Sequence, residues 1–253
     1  MKALITGASS GIGRDMARNL SKKGYDLILV ARDEKRLQEI KKELEEYKVN
    51  IEIITIDLSI EENCKELHKK AKNIDLLINN AGFGDCGDFT KTDLNKEIAM
   101  IHTNIIAYHI LTKLYLIDMK KVNRGKILNV ASIAGFMPGP LMSTYYATKS
   151  YVVRLSESIR EELKKENSKV QISILCPGPV DTNFNKVANV KFHMREANSQ
   201  KVADYAIKQV QKGKFYIIPG IDVKFAKIGA KIAPASIVSK ITYKIQKRKL
   251  QRN

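Results

Sequence analysis

Residues Thr6-Gly7-Ala8-Ser9-Ser10-Gly11-Ile12-Gly13 stand between a short β-branched run, ALIT, and a helical pattern, IGRDMARNLSKKG. A glycine-rich turn at this junction constrains the chain more than any other segment. Gly7 allows a tight turn out of the strand, Gly11 removes a side chain where a pyrophosphate approaches the backbone, and Gly13 lets the helix pack close to the sheet. The helix N-terminus then offers free N–H groups and a partial positive charge to an anion. The glycines fall at 7, 11 and 13, which departs from the GxGxxG spacing, so the turn by itself also fits an ordinary strand-to-helix loop.

Strand and helix signals alternate through the rest of the chain. DLILVA reads as a strand, and DEKRLQEIKKELEEY as an amphipathic helix opened by Asp33, with Leu37, Ile40 and Leu44 three to four apart. Gly24 closes the helix before it, in a left-handed conformation that glycine tolerates. IEIITI, IDLLIN, GKILNVAS, KVQISILCP and KFYII follow as strands. Between them the periodicity predicts helices over 60–72, from Asp93 to about Lys120, from Ser143 to about Glu166, and across SQKVADYAIKQVQKG. Runs such as DLLIN suit strands covered on both faces. The pattern predicts an α/β fold with a parallel sheet and helices on both faces. The 253 residues show no composition break, and a domain of this class often reaches that size undivided.

Composition narrows the setting. The apolar run in MKALITG is too short for a secretory signal, and no stretch approaches the ~20 apolar residues of a membrane-spanning helix. Cys64, Cys86 and Cys176 are widely separated, and His68, His102, His109 and His193 are scattered. That arrangement predicts reduced thiols in a cytoplasmic protein and no metal centre. The net charge of +17 admits nucleic acid, acidic lipid or a phosphorylated ligand as partner. Most lysines are interspersed with glutamates, as on a solvated surface, and no recognised nucleic-acid fold accompanies them, so nucleic acid is not expected.

Two positions bear on the ligand of the glycine turn. The second strand ends Val30-Ala31-Arg32-Asp33. A carboxylate there would accept hydrogen bonds from a ribose 2′-OH, whereas a guanidinium suits a 2′-phosphate. Arg32 therefore favours NADP(H), with NAD(H) as the alternative should Asp33 face the ribose instead. Asp57, after the third strand, can accept from an adenine amino group with Leu58 beside the ring, or cap the next helix.

With TGASSGIG, then NNAG at Asn79-Asn80-Ala81-Gly82, Ser132 in NVAS, YYATK at Tyr145–Lys149 and PGPVDT at Pro177–Thr182, the chain resembles the short-chain dehydrogenase/reductase family. The motifs stand in the family's order, strongly over about 1–185. NNAGFG and the tail are similar to a DltE-like branch. The resemblance implies a Rossmann-type, doubly wound sheet of about seven strands and a Ser132–Tyr145–Lys149 catalytic set completed by Asn104. It implies that Lys149 holds the nicotinamide ribose and that Asn104 anchors a water relaying protons to Lys149. It also puts Pro177 and Gly178 over the nicotinamide, with Val180 and Thr182 near its carboxamide and phosphates, and a homodimer or homotetramer as the assembly.

Tyr145 and Lys149 are four apart on a predicted helix and share a face. A free phenol has a pKa near ~10 and is a poor base at neutral pH. A nearby ammonium is expected to lower it, so that Tyr145 gives a proton in reduction and takes one in oxidation. Tyr146, three before Lys149, is the rival. The Ser132 hydroxyl can hydrogen-bond a substrate oxygen or cap a turn. The expected reaction interconverts a carbonyl and a secondary alcohol, on an apolar ketone or 3-oxoacyl-type substrate. A cofactor-binding regulatory protein with little turnover is the rival reading, disfavoured by the complete set.

Two segments stand apart. Residues 178–198 look irregular yet contain Phe184, Val187, Val190, Phe192 and Met194, as in a lid over an apolar substrate. Residues 221–253 hold nine Lys or Arg and one acid, Asp222, interleaved with apolar residues at near-helical spacing. Such a basic amphipathic helix fits peripheral membrane contact, subunit packing or a lid.

Overall fold

The computed structural model describes residues 1–188 and 196–250. Its centre is a seven-stranded sheet in the order β3-β2-β1-β4-β5-β6-β9, parallel at every pairing. β1 (Lys2–Thr6), β2 (Asp26–Ala31) and β3 (Ile51–Thr55) form one half, with α1 (Gly11–Ser21), α2 (Glu34–Leu44) and α3 (Glu61–Lys70) as crossovers. β4 (Leu76–Asn79), β5 (Lys126–Val130), β6 (Gln171–Leu175) and β9 (Tyr216–Ile217) form the other half. Their connections carry α4 (Leu94–Ile101), α5 (Ala107–Lys121), α6 (Ser143–Lys165) and α8 (Ser199–Gln211). A two-residue pair, β7 (Val180–Asp181) with β8 (Ala197–Asn198), and a short α7 (Phe184–Val187) lie between β6 and α8.

Alternation along each strand divides the core. Leu4, Ile28, Leu77, Ile127 and Ile172 face α3, α5 and α6, while Ile5, Leu27, Ile78, Leu128 and Leu175 face α1, α2 and α8. Local chemistry sets the helix ends. Asp33 caps α2 by accepting from the Arg36 N–H at 3.0 Å, Asn198 caps α8 by accepting from Lys201 at 3.1 Å, and Gly24 closes α1 at φ +76°.

Three elements differ from the sequence expectation. The helix expected from Asp93 to Lys120 is interrupted by a π turn over His102–Ile106, between α4 and α5. KFYII yields only the two-residue β9, because Pro219-Gly220, with Gly220 at φ +94°, turns the chain away. The tail forms two helices, α9 (Ile221–Ile232) and α10 (Ala235–Leu250). Pro234 separates them, since a residue before proline is pushed out of the helical region, and Ala233 is extended at φ −73°, ψ 144°.

A buried polar ladder fixes the helices that carry the site. Asn79 Nδ2 donates to Thr112 on α5 and to Asn129 Oδ1 at 3.0 and 2.9 Å, and Asn129 Nδ2 donates to Ser156 on α6 at 2.9 Å. All four residues are within 1% of fully buried. Removing the middle rung strands an N–H of Asn79 on one side and the accepting oxygen of Ser156 on the other, at about 1–3 kcal/mol each. Asn129→Ala is therefore expected to lower the free energy of unfolding by about 3 kcal/mol. Urea denaturation checks this; a loss below about 1 kcal/mol would mean that the ladder does not hold α5 and α6.

Candidate active site

Parallel strands bring their carboxyl ends to one edge. The sheet order reverses between β1 and β4, and a crevice opens there. A cleft of about 540 Å³ occupies this edge, bounded by the glycine turn, the ends of β2 to β6, the start of α6 and the segment from Pro177 to Val187.

At one end stands the glycine turn. Gly7 has φ +65°, and a Cβ there would lie 2.8 Å from Ala81 Cα. A Cβ at Gly11 would meet Thr182 at 2.9 Å. At Gly13 it would meet the Gly7 carbonyl at 2.4 Å and Asn80 at 2.5 Å, so this glycine lets the helix close on its own turn rather than on the sheet. The Thr6 hydroxyl accepts from the N–H groups of Asn80 and Ala81 at 2.9 and 3.0 Å, and Asn80 Nδ2 donates to the Thr6 and Gly7 carbonyls. Asn80 thus braces the turn from the end of β4. Ser9, Ser10, Gly11 and Ile12 line the cleft, and α1 begins at Gly11 with no side-chain cap from Ser10. A side-chain-free cradle at an uncapped helix N-terminus suits a diphosphate.

Arg32 and Arg36 both line this end. Sequence reasoning missed Arg36; its place in the first turn of the helix that opens just after Arg32 is the signal that could have found it. Arg36 Nε lies 3.3 Å from Asp33 Oδ2, and Arg32 lies 3.8 Å from Asp57 Oδ2. Asp33 is turned to the α2 backbone as its cap. Asp57 Oδ1 accepts from the Ser59 N–H and hydroxyl at 2.9 and 2.8 Å. It closes a local turn rather than capping α3, whose N-cap is Ile60. Leu58 is buried beside it. The cradle, two guanidiniums and a buried leucine together fit a dinucleotide carrying an added phosphate.

At the other end, Ser132, Tyr145 and Lys149 come together. Ser132 follows β5; its Oγ accepts from the Ala134 N–H at 3.2 Å and lies 3.5 Å from the Pro177 carbonyl. The same hydroxyl stands by Tyr145 on the side that favours its ionised form. Lys149 is 4% exposed. Its Nζ donates to the Val130 carbonyl at 2.9 Å and sits 5.3 Å from the Tyr108 ring centre and 5.8 Å from that of Tyr145. Burial lowers this lysine to about 8.

The phenol departs from expectation. Burial raises Tyr145 above its ordinary value, and the nearby Ser132 hydroxyl only partly opposes this. Lys149 lies over the ring and gives its hydrogen bond to a backbone carbonyl, so it does not acidify Tyr145 within the protein alone. Tyr146, the rival, is raised to about 12 by burial and accepts from Gln246 Nε2 at 2.6 Å. That bond commits it to α10.

Asn104 sits in the π turn, fully buried. Its Oδ1 accepts from the Phe83 N–H at 3.1 Å, and its Nδ2 donates to the Phe83 carbonyl and Thr148 at 2.9 and 3.1 Å. A Cβ at Gly82 would lie 2.8 Å from Asn104 Oδ1 and 3.5 Å from Lys149 Nζ, so Gly82 marks where the two approach. Pro177, Gly178, Val180 and Thr182 wall the cleft opposite. Phe83, Met142, Phe184 and Val187 complete an apolar mouth, with Phe184 5.3 Å from the Tyr145 ring centre. Val190, Phe192 and Met194 lie outside the described residues. No group of three or more potential metal ligands occurs among the described residues.

The sequence model of the short chain dehydrogenase family matches residues 1–191. The chain is 35% identical over 185 residues to an uncharacterised oxidoreductase of Staphylococcus saprophyticus, covering 71% of this chain and 78% of that one. It is 37% identical over 198 residues to an NADP-dependent 3-hydroxy acid dehydrogenase of Schizosaccharomyces pombe, covering 75% and 74%. A solved short-chain dehydrogenase from Sphingobium yanoikuyae in complex with NADPH superposes with a TM-score of 0.83 at 27% identity, over 91% of this chain and 92% of that one. Fold, cleft and relatives agree: the chain belongs to the short-chain dehydrogenase family of oxidoreductases.

Proposed function

We propose that the cleft binds NADP(H) in preference to NAD(H) and interconverts a carbonyl and a secondary alcohol, with Tyr145 as acid and base. One observation carries this reading: Ser132, Tyr145 and Lys149 converge in a cleft whose far end holds two arginines beside a side-chain-free turn. A bound dihydronicotinamide supplies the hydride.

The side chains supply the rest. Ser132 Oγ and Tyr145 Oη hydrogen-bond the substrate oxygen and stabilise the charge that develops on it. Tyr145 gives its proton in reduction, and its raised pKa keeps that proton in place at neutral pH. Lys149 supplies positive charge beneath the phenol and hydrogen bonds to the cofactor ribose. Asn104, held to Phe83 in the π turn, keeps backbone polar groups beside Lys149 for a proton-relaying water. Pro177, Gly178, Val180 and Thr182 border the nicotinamide and phosphates.

The apolar mouth at Phe83, Met142, Phe184 and Val187 supports an apolar ketone or a 3-oxoacyl-type compound as substrate, and the name of the Schizosaccharomyces pombe relative points the same way. Residues 178–198 serve as its lid; Lys96 already ties this segment to α4 by donating to the Val187 carbonyl at 3.2 Å. We place the chain in the DltE-like branch on its NNAGFG stretch and tail. Exposed Ile98, Ile101 and Ile117 on α4 and α5 support a homodimer or homotetramer.

Tyr145→Phe is expected to lower kcat by about a thousandfold or more, as befits loss of a positioned acid, with the Kd for NADPH within about twofold of wild type. Steady-state rates and fluorescence titration check this; retained turnover would remove Tyr145 from the mechanism. Arg32→Ala is expected to weaken NADPH by about 10- to 100-fold, the worth of charge-assisted hydrogen bonds to phosphate, and NADH by less than about twofold. Equal losses for both would argue against a 2′-phosphate at Arg32.

A further inference from the structure

The two C-terminal helices each have a tethered inner side and an unusual outer one. On α9, Val223 packs towards Gly178, and Lys227 lies 3.2 Å from the Tyr216 ring centre. On α10, Val238, Thr242 and Gln246 are buried at four-residue intervals. Thr242 donates to the Pro138 carbonyl at 2.9 Å, and Gln246 donates to the Tyr146 hydroxyl. These contacts hold both helices against the wall of the cleft.

The opposite side of α9 is apolar. Ile221, Phe225, Ile228 and Ile232 recur at helical spacing, directly across from Val223 and Lys227, and are 72%, 67%, 53% and 77% exposed. On α10, Ile237, Ile241 and Ile245 form a second exposed stripe. Lys224 and Lys231 border the first stripe, and Lys240 and Lys244 run beside the second; all four are exposed. Residues 221–250 hold eight Lys or Arg against the single acid Asp222.

From this juxtaposition we propose that the outward sides of α9 and α10 are a docking surface for an anionic lipid bilayer. Exposed isoleucines and a phenylalanine enter the headgroup boundary while the adjoining lysines meet anionic headgroups. The two helices lie in the interface and do not cross it, since no described helix is long and apolar enough to span a membrane. Charge selects this occupant over the others. Two copies joined through this face would set Lys224, Lys231, Lys240 and Lys244 of one against the same four cations of the other. A nucleic acid would satisfy the lysines and leave the isoleucine stripes in water. Docking through this face would put the cleft mouth next to the bilayer, because Gln246 binds the tyrosine that lines it.

The test is sedimentation of the full chain with unilamellar vesicles, which needs no turnover and stands apart from the proposed reaction. The chain is expected to bind phosphatidylglycerol vesicles, weakly or not at all phosphatidylcholine vesicles, and to be released by salt. Lys224→Gln, Lys231→Gln, Lys240→Gln and Lys244→Gln combined are expected to weaken binding by on the order of a hundredfold or more, at about fivefold per cation. Phe225→Ser, Ile228→Ser and Ile232→Ser combined should also release the protein, with an unchanged melting temperature in both sets because these side chains face outward. Failure of the wild type to bind phosphatidylglycerol, or equal binding by the lysine set, would overturn the proposal. So would a halved solution mass of the Phe225/Ile228/Ile232 set without lipid, which would assign the face to contact between copies.

Discussion

Lys149 holds its ammonium 2.9 Å from the Val130 carbonyl, near the faces of Tyr108 and Tyr145. Taking a cation out of water costs several kcal/mol unless oxygen atoms and ring faces replace the solvent. The surrounding structure meets that demand from three elements at once. β5 ends with the accepting carbonyl, α5 brings Tyr108, and α6 carries Lys149 and Tyr145. Tyr108 is itself fixed by its hydroxyl, which donates to the same Val130 carbonyl at 3.1 Å. The ladder from Asn79 through Asn129 to Ser156 keeps β4, β5 and α6 in the register that this arrangement requires.

The cleft changes character along its length. The end at β1 and β2 offers backbone N–H groups, two guanidiniums and no side chain inside the turn. The end at β5 and β6 is closed by buried hydroxyls, an aromatic pair and an apolar rim. A charged, flat ligand fits the first end and an uncharged, reducible group the second. The hydroxyls of Ser132 and Tyr145 are the polar groups aimed at the second end, so an oxygen-bearing carbon can sit there in one orientation. Burial holds the Tyr145 pKa above its ordinary value, so the phenol carries its proton at neutral pH and can donate a hydrogen bond to an oxygen bound beside it.

What could be read from the sequence was what local chemistry decides. Asp33 caps α2 because its side chain reaches three residues along its own helix, and Gly24 closes α1 because only its own backbone is at issue. YxxxK on one helix already places Tyr145 and Lys149 on a shared face. The misses arise where a distant partner decides. The π turn at His102–Ile106 keeps an ordinary helical apolar pattern, and what marks it is Asn104 reaching Phe83. The shift of Tyr145 depends on burial contributed by Phe184 and Tyr146, which no spacing rule conveys. Arg36 reads as one more basic residue on a solvated helix until α2 is seen to begin at the cleft. The break at Pro234 could be read, since proline carries its own restriction, but the run of spaced isoleucines masked it.

The central claim is that this cleft carries out hydride exchange at an oxygen-bearing carbon. Its most direct test uses NADPH labelled with deuterium at C4 and a panel of apolar ketones and 3-oxoacyl thioesters, with products analysed by mass spectrometry. The account predicts an alcohol with one deuterium on the carbinol carbon and stoichiometric loss of NADPH. A protein that binds NADPH tightly yet leaves every member of the panel unlabelled would contradict it.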